Sequence, residues 1–231
     1  DDCARAMDHG FTSVMIDASR ASGTDEPASF ADNVALTRRV VEAAVPFGVS
    51  VEGELGTIGG AEAGVTGVRE EIVFADPDQA VEFVEQTGVD ALAVAVGTSH
   101  GSVKFTDEAG GQRLRLGLIS EIRGRLPDTF LVLHGSSSVP AEAVARINAH
   151  GGDVRPSYGI SPEQKAEGIA AGIRKINQGT DSHLAWSAAL RTFLQENPAV
   201  VEPSEQLRPA MGAFRAMVTQ RMREFGSSGR A

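Results

Sequence analysis

The chain has 231 residues, 42% of them hydrophobic, which is enough to bury one substantial core, and we interpret residues 1–231 as a single domain. The net charge of -10 argues against nucleic acid or an anionic membrane as a partner, but leaves small phosphorylated metabolites open because a local pocket can still be positive. The single cysteine, Cys3, excludes an internal disulfide and suits a reducing cytoplasm, and no stretch resembles a membrane span or a signal peptide.

Short apolar runs alternate with amphipathic stretches along the chain, after a helical pattern at the first residues. Such runs are typical of parallel strands that are buried on both faces. Asp76-Pro77 and Ser161-Pro162 each place an N-cap before a first-turn proline and so indicate helix starts. The predicted strands are 11–16, 49–55, 91–96, 130–133 and 173–176, and the predicted helices are 33–44, 77–86, 114–125, 141–149, 162–171, roughly 182–195 and roughly 208–225.

Strands that alternate with helices at this spacing predict right-handed βαβ units and a parallel sheet. Five strands do not close an eight-stranded barrel, and the first residues lead directly into the first strand, so we expect an upstream segment to be missing. An open, five-stranded, doubly wound sheet is the alternative, since it needs no further strands. The pattern alone leaves both architectures open.

Polar residues follow the predicted strands at Asp17, Glu54, His100, His134 and Asn177. In both architectures the chemistry lies at the carboxyl ends of the strands, and two imidazoles with two carboxylates suit zinc, which needs three protein ligands and an open position in a catalytic site. A lone carboxylate at a strand end more often caps a helix or pairs with an arginine, and a lone histidine more often makes an ordinary hydrogen bond. Two matching histidines, each followed by glycine, favour the metal site.

Two loops contain further candidates. The glycine-rich loop at 56–64 carries one carboxylate and suits an active-site loop, although such loops are common on surfaces. The segment 177–181 starts a helix, where backbone donors and the helix dipole favour a phosphate. The alternative there is plain helix capping by Thr180 or Asp181.

Two charged features are assigned no chemistry. Glu52 is interpreted as a strand neighbour of Glu54 that faces the other way. The charged pattern in 208–223 is interpreted as a solvated helix face.

Five segments together resemble class II fructose-bisphosphate aldolases, most closely the branch that includes Calvin-cycle enzymes. The likeness runs in order from Cys3 to Ala231, and five ordered motifs are far more specific than one. The segments are GFTSVMID at 10–17, VSVEGELG at 49–56, GVDALAV at 88–94, GTSHG at 97–101 and LHGSSSVP at 133–140.

This resemblance implies a (β/α)8 TIM barrel of which the chain would hold about strands 4–8. It also implies reversible aldol cleavage of fructose 1,6-bisphosphate to dihydroxyacetone phosphate and glyceraldehyde 3-phosphate in a cytoplasmic enzyme of carbohydrate metabolism. The implied cofactor is a catalytic Zn2+, with a second divalent metal and a monovalent cation as further candidates, and zinc would polarise the ketone in place of the lysine Schiff base of the other aldolase class. The implied assembly is a homodimer or homotetramer.

The same resemblance implies roles for single residues. His100 and His134 match two catalytic zinc ligands, whereas Glu54 and Asp17 match the carboxylates of a second metal position. Glu62 matches the loop glutamate that transfers a proton. The residues that match the dihydroxyacetone phosphate site are Gly101, Lys104, Gly135, Ser136, Ser137, Asn177, Gly179 and Thr180.

The chain departs from the family at two important points. A His-x-Asp-His segment, which supplies another zinc ligand and a catalytic acid, should fall just before Asp1, so we expect weak zinc binding and little turnover from this chain alone. Gly179 stands where fructose-specific members commonly have aspartate, and relatives that act on tagatose 1,6-bisphosphate also have a small residue there. The alternatives are therefore a tagatose- or other ketose-bisphosphate aldolase, or a non-catalytic phosphosugar-binding remnant.

Overall fold

The fold is built from parallel strands linked by helices. The computed structural model describes residues 2–20, 28–56, 59–60, 73–100 and 113–230, with only the backbone at 59–60 and 99–100. The helices are α1 (Asp2–Asp8), α2 (Phe30–Ala44), α3 (Pro77–Thr87), α4 (Leu116–Arg125), α5 (Ala141–Ala149), α6 (Pro162–Ala171), α7 (Thr180–Glu196) and α8 (Pro203–Glu224). The strands are β1 (Ser13–Ile16), β2 (Ser50–Leu55), β3 (Gly59–Gly60), β4 (Ala91–Val94), β5 (Ser99–His100), β6 (Phe130–Leu133) and β7 (Ile173–Ile176).

The main sheet has the strand order β1-β2-β4-β6-β7, and all its neighbouring strands are parallel. Apart from the short β3 and β5, each strand therefore lies beside the next one in the chain. A doubly wound sheet reverses its order at a switch point, and the described strands show no reversal. The topology thus contradicts the doubly wound alternative and agrees with the wall of a TIM barrel.

The two faces of the sheet differ in chemistry. Toward the helices, apolar side chains such as Leu92 and Leu131 pack into one core with Phe83 of α3. Gly53 faces this core, because a Cβ there would lie 2.9 Å from the Phe83 ring. The residues on either side of Gly53, Glu52 and Glu54, therefore lie on the opposite face, which we call the inner face.

The five predicted main strands are confirmed to within two residues at each end. Strand β4 ends at Val94, earlier than predicted, and His100 lies in the separate strand β5. Strand β5 pairs with β3, so part of the glycine-rich loop adds a two-stranded sheet that the sequence pattern did not predict. No helix in the described part of the chain combines the length and apolar character that crossing a membrane requires.

Candidate metal and phosphate site

His134 follows β6 and lies between two carboxylates on the inner face. Its Nε2 is 2.7 Å from Oε1 of Glu52, and its Nδ1 is 3.5 Å from Oε2 of Glu54. All three side chains are buried. Glu52 reaches His134 across β4, where the small residues Ala91 and Ala93 leave the space that larger side chains would fill.

Glu52 also accepts a hydrogen bond from Lys175 Nζ at 2.7 Å, through its second oxygen. Burial raises the pKa of the Glu52 carboxyl, but the hydrogen bonds and charges of His134 and Lys175 outweigh it, so the pKa lies below its usual value. An ionised carboxylate only accepts, so the bond to His134 requires a proton on Nε2. Glu52 thereby fixes the ring and turns Nδ1 toward Glu54.

The interpretation of Glu52 was therefore wrong. Residues i and i+2 of a strand share a face, so Glu52 and Glu54 point the same way. The sequence analysis also missed Lys175. Strand β7 is irregular between Ile173 and Lys175, which pair with consecutive residues of β6, and this extra residue turns Lys175 to the inner face.

The arrangement of His134 and Glu54 fits a divalent cation. A carboxylate on one ring nitrogen and a metal on the other is the usual environment of a histidine ligand. Two ligands of a tetrahedral zinc lie about 3.4 Å apart, which is close to the separation of Nδ1 and the Glu54 oxygen, 3.5 Å. No group of three potential ligands occurs within the described residues, and the side chain of His100 lies outside them. His134 and Glu54 thus supply two of the three protein ligands that a catalytic zinc site needs.

The structure brings together only some of the predicted metal ligands. Glu54, assigned to a second metal position, has its Oε2 3.5 Å from Nδ1 of His134, so the two side chains are close enough to contact one cation. Asp17 directly follows the neighbouring strand β1, and its Oδ1 accepts hydrogen bonds from the N–H and Oγ–H of Ser19. Asp17 thus makes local hydrogen bonds of the kind that a capping carboxylate makes. Its role toward a metal stays a prediction.

The predicted phosphate residues at 135–137 and 177–180 lie in adjacent loops. The hydroxyl of Ser136 donates to the carbonyl of Asn177 at 2.7 Å and accepts from Gln178 Nε2 at 3.2 Å. Within the described residues, the N–H groups of Ser136 and Ser137 form no hydrogen bond. Helix α7 begins at Thr180 with no side-chain cap. Backbone donors of two loops are thus available close together.

Four predicted site residues lie wholly or partly outside the part of the chain that the structure describes. Glu62, Gly101 and Lys104 lie outside the described residues. The backbone of His100 pairs with Gly60 in the small sheet, which puts it next to the glycine-rich loop. Their assignments stay predictions.

The substitution Glu52→Gln is expected to weaken zinc binding by about 10- to 100-fold, because residues that orient a metal-binding histidine contribute that much to affinity. Glutamine keeps the shape of the side chain but loses the charge that holds Nε2 and Lys175. Competition with a chromophoric chelator measures the affinity. Glu42→Gln, on the exposed face of α2, is the control, and equal zinc affinity of Glu52→Gln and wild type would contradict an orienting role.

Comparison with known proteins shows which family the chain resembles. The family model of class II fructose-bisphosphate aldolase matches residues 1–230. A fructose-bisphosphate aldolase from a Nostoc species is 45% identical, over 99% of this chain and 67% of the relative. Among solved structures, the YdjI aldolase of Escherichia coli K12 is 31% identical with a TM-score of 0.69, over 98% of this chain and 65% of that one.

A second solved structure, described as a putative fructose-1,6-biphosphate aldolase from Coccidioides immitis, has a TM-score of 0.71 at 25% identity, over 99% of this chain and 68% of that one. The chain therefore spans about two thirds of the length of the proteins it matches. The family model, the curated relative and the parallel sheet agree, and the chain belongs to the class II fructose-bisphosphate aldolase family.

Proposed function

We propose that this protein catalyses the metal-dependent aldol cleavage and condensation of fructose 1,6-bisphosphate, with Zn2+ as the metal. The observation that supports the proposal is the His134 ring, fixed by Glu52 and facing Glu54 at the carboxyl end of a parallel sheet. Class II aldolases are metal-dependent enzymes, and phosphorylated sugars are the substrates of aldolases. Membership of this family connects the site with that reaction.

Each group of the site has a distinct task in this proposal. When bound, the cation would act as a Lewis acid on the ketone of the sugar. His134 and Glu54 would hold it, together with His100. Glu52 holds the imidazole in one orientation, with Nε2 toward Glu52 and Nδ1 toward Glu54. Glu62 is proposed to move the proton, as the family resemblance implies.

The phosphate end of the substrate is proposed to lie between the loops after β6 and β7. The unbonded N–H groups of Ser136 and Ser137, within the described chain, and the N-terminus of α7 offer donors without competing side chains. Because the hydroxyl of Ser136 already donates to Asn177, its contribution would come from the backbone. Loops after late barrel strands are common phosphate sites.

The proposal is tested by measuring cleavage of fructose 1,6-bisphosphate by the protein in its complete natural form, with a coupled assay. Chelator should abolish the cleavage, and added Zn2+ should restore it. Cleavage that survives removal of all metal would refute the metal mechanism. A non-catalytic remnant, the alternative from another class, would bind phosphosugar equally well with and without metal and would show no cleavage.

Gly179→Asp is expected to raise the preference for fructose over tagatose 1,6-bisphosphate by about tenfold, the order of effect of one polar substrate contact. Gly179 is exposed in a right-handed conformation (φ -104°), and a Cβ there would meet nothing within 4 Å, so aspartate fits. The ratio of kcat/KM for the two epimers measures the effect. Gly179→Ala is the control for bulk without charge, and an unchanged ratio would show that position 179 does not select the sugar.

We further propose that the protein works in the cytoplasm as a homodimer or homotetramer. The single cysteine supports a reducing compartment, and the family resemblance supports the assembly. A second divalent metal and a monovalent cation remain part of the same proposal. Metal analysis and light scattering of the purified protein test both.

A further inference from the structure

The loop after β6 holds an unusual backbone conformation. Val139 has φ +53°, in the left-handed region that β-branched residues rarely adopt. This conformation persists only if surrounding contacts impose it. Asp181 of α7 supplies them, because its Oδ2 accepts the N–H of Ser138 at 3.0 Å and its Oδ1 accepts the N–H of Val139 at 2.8 Å. Asp181 therefore binds the loop rather than capping its own helix.

Two cations from different helices converge on Asp181. Arg221 of α8 donates to its Oδ2 from Nη2 at 3.1 Å and from Nε at 3.3 Å. Lys165 of α6 has its Nζ 4.0 Å from the same oxygen, and it donates to the hydroxyl of Ser138 at 2.7 Å. We call Lys165, Asp181 and Arg221 the anchor cluster. All three residues are buried, with exposures of 0%, 1% and 6%.

Burial makes these charges costly, so their presence calls for a reason beyond packing. A buried ion pair is often no more stable than apolar side chains of similar volume. Apolar side chains, however, could not accept the hydrogen bonds that two backbone N–H groups of the loop donate. Arg221 also pairs with Glu224, so the charges of Lys165, Asp181, Arg221 and Glu224 sum to zero.

The two N–H groups that Asp181 holds directly follow, in the chain, the two N–H groups that we propose bind phosphate. Ser138 and Val139 donate to Asp181, whereas the preceding residues Ser136 and Ser137 donate to nothing within the described chain. Fixing two consecutive amides limits the orientation of the peptide groups just before them. We propose that the anchor cluster positions the loop 135–139 for phosphate, with Asp181 as the positioning residue and Arg221 and Lys165 holding it in place.

This inference rests on the phosphate site of the proposed function, but it does not require aldol chemistry. The test is therefore the binding of inorganic phosphate, followed by 31P NMR titration of the wild type and of Arg221→Lys. The variant keeps the charge but loses the forked geometry, and we expect its phosphate affinity to fall by about tenfold or more. Its zinc content should stay at the wild-type level, because Arg221 has no contact with His134 or Glu54 among the described residues.

The comparison is made at a temperature at which every protein is fully folded by circular dichroism. Arg223→Lys is the matched control, since it makes the same change at an exposed position of the same helix. A role in stability alone would lower the melting temperature of Arg221→Lys and leave phosphate affinity unchanged, and that result would overturn the inference. Hydrogen exchange gives a second measurement. In Asp181→Asn, exchange of the Ser138 and Val139 amides should speed up more than exchange of the other amides, which report any general weakening of the fold.

The remaining outcomes separate this inference from the proposed function. Phosphate binding that depends on Arg221, in a protein that does not cleave fructose 1,6-bisphosphate, would support the anchor and refute the aldolase activity. A wild-type protein that does not bind phosphate at all would overturn the anchor.

Discussion

Replacing His134 by alanine is expected to cause the largest loss of function among single substitutions in the described site. The change removes the ring whose Nε2 is held by Glu52 while Nδ1 faces Glu54. A residue that only orients a metal-binding histidine is worth about 10- to 100-fold in metal affinity, so the loss of the ligand itself should exceed about 100-fold. The same loss is expected in kcat/KM for fructose 1,6-bisphosphate cleavage, since the reaction depends on the cation.

Two measurements separate the binding of metal from the chemistry. Zinc affinity is obtained by competition with a chromophoric chelator, and cleavage by a coupled assay on the complete natural protein. His183→Ala is the control, because His183 is an exposed histidine on α7 and its loss should change neither quantity. Wild-type zinc affinity in His134→Ala would show that the ring is not a ligand. Weaker zinc binding with unchanged cleavage would show that the reaction does not need the metal.

Much of the fold could be predicted because its signals are local. Buried parallel strands form continuous apolar runs, and five such runs gave the five strands of the main sheet. The helix starts at 77 and 162 were predicted from capping residues, and in the structure the side chains of Asp76 and Ser161 accept N–H groups of the first turn. Helix α8 begins at Pro203, about five residues earlier than predicted, because proline fits the first turn of a helix.

The contacts that shape the site could not be predicted in the same way. In a regular strand, period-two alternation from the buried Ile173 would point Lys175 toward the helices. Lys175 reaches Glu52 only because β7 is irregular beside it. Arg221 was placed on a solvated helix face, whereas it is buried against Asp181, 40 residues earlier in the chain. A pairing between distant residues leaves no periodic pattern in the sequence. The strand order of the sheet brings Lys175 to Glu52, and the packing of α8 against α7 brings Arg221 to Asp181.

Asp181→Ala is expected to lower the free energy of unfolding by about 3–5 kcal/mol, the usual cost of removing one partner from a buried ion pair. Arg221 and Lys165 would lose the carboxylate that compensates them, and the N–H groups of Ser138 and Val139 would lose their acceptors. Burial lowers the pKa of Lys165 to about 8 although Asp181 opposes that shift, so protonated Lys165 would become still more costly. Denaturant unfolding followed by circular dichroism measures the change.

An exposed aspartate–arginine pair on the surface serves as the control for the effect of burial. Asp78 pairs with Arg125 at 2.6 Å, but its side chain is 87% exposed, so Asp78→Ala should cost less than about 1 kcal/mol. The double substitution Asp181→Ala with Arg221→Met should be less destabilising than the sum of the two single changes, because removing the carboxylate and the guanidinium together leaves fewer uncompensated charges. If Asp181→Ala cost no more than Asp78→Ala, the buried carboxylate would not hold the loop, since the loss of the acceptor for two backbone N–H groups must lower the stability of the fold.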